Sequence, residues 1–191
     1  MSDRALLVVI DMQRLFGDPA SPWYTPGYPG IVADVDRLVG AFADRVVFTR
    51  FIVPARPTGS WVPYYERWKA VTRPRARAWM DLTEPWASRR PPTLDRPTFS
   101  KWGPELRDAS SRFRTLVLCG VATDCCVIAT ALPAADEGKF VRVVADACAG
   151  LDDAAHQRVL AIFEGFAPQI TLSSTEQELA RRRHPARVTR A

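Results

Sequence analysis

Long apolar stretches are missing from this sequence. No run of eighteen apolar residues occurs, which excludes a membrane-spanning helix. The run nearest the N-terminus, Ala5-Leu6-Leu7-Val8-Val9-Ile10, meets Asp11 at once and is too short for a secretory signal. Cysteine is scarce, with only Cys119, Cys125, Cys126 and Cys148, and histidine scarcer still, with His156 and His184. That inventory excludes a disulfide scaffold. The adjacent Cys125-Cys126 is not a C-x-x-C pair, so a zinc site of His and Cys is not expected either. The thiols are expected to be reduced and the protein cytoplasmic. Internal repeats and low-complexity segments are also lacking, and only three lysines stand against 23 arginines.

The chain has 191 residues, 47% apolar and 25% charged, with a formal net charge of +5. This composition is that of an ordinary folded chain rather than a disordered one. The positive charge is localised. Residues 54–93 carry eight basic and three acidic side chains, residues 181–191 carry five arginines and no acid, and the rest is net −5. Neither basic segment holds a nucleic-acid module, and the body would repel phosphate. The expected partner is a small-molecule substrate, with no nucleic acid and no membrane.

Short Val-, Leu- and Ile-rich runs alternate with amphipathic segments. Strands are expected at 5–10, 46–52, 115–119, 141–145 and 169–172. Helices are expected at 31–43 (Ile31, Val35, Leu38 and Phe42 sharing a face), 104–113, 124–137 with Pro133 as a kink, 152–163 and 175–182. Strands without polar alternation are buried on both faces. Their alternation with helices predicts a three-layer α/β/α domain with a mostly parallel, doubly wound sheet. One domain is expected over 1–182, with a basic tail at 183–191. Residues 54–93, with seven prolines and four tryptophans, read as an irregular lid or subunit contact containing a short helix near 64–71.

In doubly wound sheets, functional groups gather at the carboxyl ends of strands near a topological switch point. That rule singles out Asp11, Arg50 or Phe51, Arg96, and the turn 120–126. Alone, Asp11 reads more simply as a capping or turn carboxylate. In Gly120-Val121-Ala122-Thr123-Asp124-Cys125-Cys126-Val127, a cysteine follows a strand and opens a helix. The helix dipole and unpaired N–H groups there favour a thiolate and can hold an oxyanion. A small buried core residue explains a cysteine there equally well.

The stretches Val9-Ile10-Asp11-Met12-Gln13, Cys119 to Val127, and Val144-Ala145-Asp146-Ala147-Cys148, in that order, resemble the isochorismatase-like cysteine hydrolases. The resemblance covers about residues 6–179 and implies the doubly wound α/β fold. It also implies hydrolysis of a C–N bond in a small amide, carbamoyl or ureido compound, or of a vinyl ether, by an Asp, Lys and Cys triad. Asp11 matches the aspartate, and Cys126 matches the nucleophile in T-D-x-C-V. Backbone N–H groups of Ala122 and Cys126 match the oxyanion donors, and a cis peptide is implied between Val121 and Ala122. The family lysine lies in K-x-x-[YF]-S-x-[FW], which aligns with Arg96-Pro97-Thr98-Phe99-Ser100-Lys101-Trp102. Arg96 is therefore expected in the lysine's place, with Lys101 on a variable position and its reaching back to complete the triad the less favoured alternative. An arginine can hold Asp11 but cannot exchange a proton, so a catalytically impaired, ligand-binding homologue is an alternative.

The Asp-x-His metal pair of nicotinamidase-like members is replaced by apolar residues at Phe51 to Pro54, so neither metal nor cofactor is expected. Gln13, Phe16, Trp61, Tyr65 and Trp102 are the expected substrate-binding residues. His156, within a helix, and His184, in the tail, are assigned no role. Relatives commonly pair subunits, which implies a homodimer or higher homo-oligomer.

Overall fold

A six-stranded sheet runs through the chain, and every strand pair in it is parallel. The computed structural model describes residues 4–183. Residue 184 onward, including His184 and all but the first residue of the expected basic tail, lies outside the described residues. The strands are β1 (Ala5–Ile10), β2 (Val46–Phe51), β3 (Thr93–Arg96), β4 (Thr115–Val121), β5 (Phe140–Ala149) and β6 (Ile170–Ser173). The helices are α1 (Arg14–Gly17), α2 (Tyr28–Phe42), α3 (Trp61–Arg67), α4 (Trp86–Arg89), α5 (Pro104–Ala109), α6 (Ile128–Asp136), α7 (Asp153–Glu164) and α8 (Thr175–Arg183).

The strand order is β3-β2-β1-β4-β5-β6. The chain winds outward from β1 in one direction, returns, and winds outward from β4 in the other. The switch point therefore lies between β1 and β4, and right-handed crossovers place α2 on one face and α5, α6 and α7 on the other. Both switch-point strands are buried along their whole length, as their unbroken apolar runs require. Ile31, Val35, Leu38 and Phe42 form the buried face of α2. Asp152 caps α7 by accepting the Ala155 N–H at 2.6 Å, satisfying one of the donors a helix start leaves open. Glu178 of α8, fully buried, takes Arg142 of β5 through two hydrogen bonds of 2.8 and 3.1 Å.

The segment 54–93 is less irregular than its prolines suggest. It contains α3, two short 3-10 turns (Lys69–Thr72 and Pro74–Met80) and α4, and it ends at the start of β3. Strand β3 escapes the sequence pattern because Thr93-Leu94-Asp95-Arg96 has one large apolar residue and lies half-exposed at the sheet edge. Charge fixes its register: Asp95 lies opposite Arg50 of β2 and accepts hydrogen bonds of 2.9 and 2.6 Å from it. The helix expected at 124–137 is also divided. Thr123–Val127 forms a wide turn, closed by Val127 N–H to the Ala122 carbonyl at 3.1 Å, before α6 begins. Pro133 lies inside α6.

At the switch point β1 and β4 approach so closely that one position must be glycine. Gly120 has φ +108°, and a Cβ there would stand 2.1 Å from the Ile10 carbonyl oxygen. Gly120→Ala is therefore expected to lower stability by more than the ~1–3 kcal/mol of an unfavourable backbone conformation alone, measurable as a fall in the urea midpoint against wild type.

Candidate active site

The end of β1 and the end of β4 converge on one buried group of charges. Asp11 follows β1 in a left-handed conformation, φ 52°, with no exposed surface; aspartate is among the few side chains that visit this region without severe cost. The turn aims its carboxylate inward. Oδ1 accepts the Thr49 hydroxyl from β2 at 2.8 Å, and Oδ2 pairs with Lys101 Nζ at 2.9 Å. Lys101 is only 1% exposed. Its ammonium also donates to the Thr98 carbonyl at 3.1 Å and lies 4.9 Å from the centre of the Phe51 ring. The Lys101 backbone N–H donates to Thr130 Oγ1 at 2.8 Å, and that hydroxyl donates to the Cys126 carbonyl at 2.7 Å. Lysine and cysteine segments are thus tied together.

Arg96 does not stand beside Asp11. Its Nη1 donates to Glu105 Oε2, in the first turn of α5, at 2.6 Å, and the guanidinium covers Gly103. The expectation that Arg96 fills the lysine position is corrected by this geometry. After β3 the chain turns through Pro97–Ser100 and re-enters the interior at Lys101. The signal available in the sequence was a rare lysine between Phe99-Ser100 and Trp102-Gly103.

Cys126 lies in the wide turn after β4, 2% exposed. Its hydrogen bond with Cys125, then burial, then the Asp11 carboxylate push its thiol well above the ordinary value, while Lys101 opposes them. The same hydrogen bond lowers the Cys125 thiol. Asp11 and Lys101 thus act on the Cys126 thiol with opposite sign, the carboxylate favouring its neutral form. Burial raises Cys148 to about 12 and lifts Cys119 as well, which leaves both as inert core residues. The Val121–Ala122 peptide is cis, and the Ala122 carbonyl accepts the N–H groups of Cys125 and Val127 at 3.0 and 3.1 Å.

Two residues not singled out for the site complete it. Burial, then the neighbouring thiols of Cys125 and Cys126, push the Tyr64 phenol up to about 12, while Arg67 opposes them. His156 of α7 reaches the cysteine turn from below, with Nδ1 2.9 Å from the fully buried Thr123 hydroxyl. Burial lowers the His156 imidazole, against the opposing charges of Asp153 and Asp124. No sequence motif marks this contact, because α7 meets the turn only in the folded chain.

The expected substrate residues divide. Trp61 belongs to an aromatic wall, with its ring 4.8 Å from Phe99, 5.2 Å from Tyr64 and 6.1 Å from Phe51. Phe16 stacks on Trp23 at 6.3 Å, and Trp23 packs edge-on to Phe51 at 5.4 Å. Tyr65 stacks beside Trp61 at 5.8 Å and faces a separate cavity. Gln13 is corrected: its amide accepts the Phe51 N–H at 2.8 Å and donates to the Phe51 and Met80 carbonyls at 3.1 and 2.7 Å, so it straps backbone together and has no donor left over. Trp102 packs its ring under the Arg107 guanidinium at 5.6 Å. Among the described residues, no group of three or more His, Cys, Asp or Glu side chains could hold a metal ion, and no helix is long and apolar enough to cross a membrane.

A family model of the isochorismatase domain matches residues 5–175. Isochorismatase domain-containing protein 2 of Xenopus laevis is 43% identical over 54 residues, a stretch covering 27% of this chain and 26% of that protein; the match spans about a quarter of the curated relative. A cysteine hydrolase from Pseudomonas syringae pv. phaseolicola has a similar structure, with TM-score 0.78 and 20% identity over 94% of this chain and 92% of that one. An N-carbamoylsarcosine amidase from Thermoplasma acidophilum has TM-score 0.68 and 21% identity over 90% and 96%. At these identities the structural likeness establishes the fold.

Two measurements probe the site's construction. Lys101→Met strands the Asp11 carboxylate in the interior and is expected to cost about 3–5 kcal/mol in chemical denaturation, whereas Arg96→Met, which frees only the exposed Glu105, leaves the midpoint nearly unchanged. For His156 the folded state disfavours the proton, so its contribution to stability is present above the ordinary histidine value of ~6.5 and is lost as pH falls below it. His156→Gln should remove that acid sensitivity from a pH series of melting temperatures.

Proposed function

The chain belongs to the isochorismatase family, and from that premise we propose that it is a cysteine hydrolase cleaving the C–N bond of a small amide, carbamoyl or ureido compound. The observation that carries this reading is the buried Lys101–Asp11 ion pair, both of whose charges bear on the Cys126 thiol. Asp11 accepts the thiol proton as Cys126 Sγ attacks the substrate carbonyl. The N–H groups of Ala122 and Cys126 receive the oxyanion. Asp11 returns the proton to the departing nitrogen, leaving a thioester on Cys126, and then activates the water that hydrolyses it. Lys101 keeps the carboxylate aimed, and its charge favours the thiolate as it forms. Thr49 holds the other carboxylate oxygen.

Apolar side chains at the exit of β2 (Phe51, Ile52, Val53) offer no ligand atoms, which supports a reaction without a metal. The aromatic wall of Phe51, Trp61, Tyr64 and Phe99 suits a small, flat substrate. The ion pair made by Lys101 also favours a working site over an impaired one, since an acid, a base and a nucleophile stand together despite the arginine at 96.

A panel of small amides, carbamoyl amino acids and ureides, followed by ammonia release, tests the proposal. Turnover of at least one compound is expected, with Cys126→Ala and Asp11→Asn each reducing it by about a thousandfold or more. Acid quench during turnover should leave an acyl mass on the Cys126 peptide. An active Cys126→Ala would refute the nucleophile, and turnover of a vinyl ether without any adduct would move the assignment to ether hydrolysis.

A further inference from the structure

Beside α3 lies a second cavity of about 510 Å³, to which Asp11, Lys101 and Cys126 contribute nothing. That volume falls in the range of small-ligand sites. Its walls are apolar, formed by Val53, Val62, Val71 and Met80 among others. Three cations, Lys69, Arg73 and Arg77, stand around it against one carboxylate, Glu66. The cavity therefore carries a surplus of positive charge that the protein itself does not neutralise: among the described residues none of these three cations is in an ion pair.

Tyr65 adds to the wall of the cavity through its ring, its hydroxyl being buried. Apolar walls and unpaired cations together describe a receptor for a particular chemistry.

We propose that this cavity binds a small carboxylate with an apolar body. The body lies against Val53, Val62, Val71 and Met80; the carboxylate is held by Arg73, Arg77 and Lys69. Arginine suits this task because its planar fork matches a carboxylate. Inorganic phosphate alone would satisfy the charge but leave the apolar walls uncovered. The site does not depend on the catalytic reading, since no residue proposed for catalysis belongs to it.

Calorimetric titration of the full chain with benzoate, benzamide and inorganic phosphate tests this. Benzoate is expected to bind one per chain, with benzamide and phosphate each at least about tenfold weaker, the loss expected for a missing charged hydrogen bond. The double variant Arg73→Ala/Arg77→Ala should weaken benzoate by about tenfold or more. Both arginines are exposed, and an unchanged melting temperature confirms that the double variant is folded. Cys126→Ser should leave benzoate binding intact, which separates this cavity from the catalytic site. No benzoate binding, equal binding of benzamide or phosphate, indifference to the double substitution, or loss of binding in Cys126→Ser would each overturn the proposal.

Discussion

A charged pair sealed in the interior governs this structure. Asp11 and Lys101 are both essentially without exposed surface. Taking two ions out of water costs several kcal/mol each before their attraction is counted. The arrangement persists because every part of the pair is held: Thr49 on one carboxylate oxygen, Lys101 on the other, and the Thr98 carbonyl as a further acceptor for the ammonium. Such a pair is a poor way to gain stability, since apolar residues of similar size would serve as well. Both of its charges bear on the Cys126 thiol, which its hydrogen bond with Cys125 and then its burial hold well above the ordinary thiol value. The low-dielectric surroundings that make the pair expensive also strengthen that influence.

The fold supplies the place for this pair at the point where the winding of the sheet reverses. Strands β1 and β4 lie side by side, Ile10 opposite Gly120, so the chain leaves both at the same end. Asp11 and the cysteine turn are neighbours by topology before any side chain is considered. Tight approach imposes conditions on both exits: a left-handed aspartate after β1 and a glycine near the end of β4. Behind the turn, His156 and Thr130 hold Thr123 and the Cys126 carbonyl. The cysteine turn is therefore braced from two helices, α7 and α6.

The segment 54–93 gives the basic character of the chain a location. Its aromatic residues face inward onto Phe51, Phe99 and Trp23, while Lys69, Arg73 and Arg77 stand around a cavity of their own. One short helix serves both sides, since Tyr64 joins the aromatic wall and Tyr65 lines the cavity. The net charge of +5 says nothing of this division.

Periodicity and local motif were enough to read the parallel sheet, the buried face of α2, and the positions of Asp11 and Cys126, because each of these depends on residues close together in sequence. A strand buried on both faces must be apolar throughout, and a turn between strand and helix has a recognisable composition. The edge strand β3 left no such trace, since a half-exposed strand fixed by the Arg50–Asp95 pair needs little apolar sequence. Which cation meets Asp11 was likewise beyond local pattern. Arg96 and Lys101 are five residues apart, and the path of the intervening loop turns one outward to Glu105 and the other into the core. Contacts such as Trp61 against Phe99 and His156 under Thr123 join segments far apart in the chain, and only tertiary packing decides them.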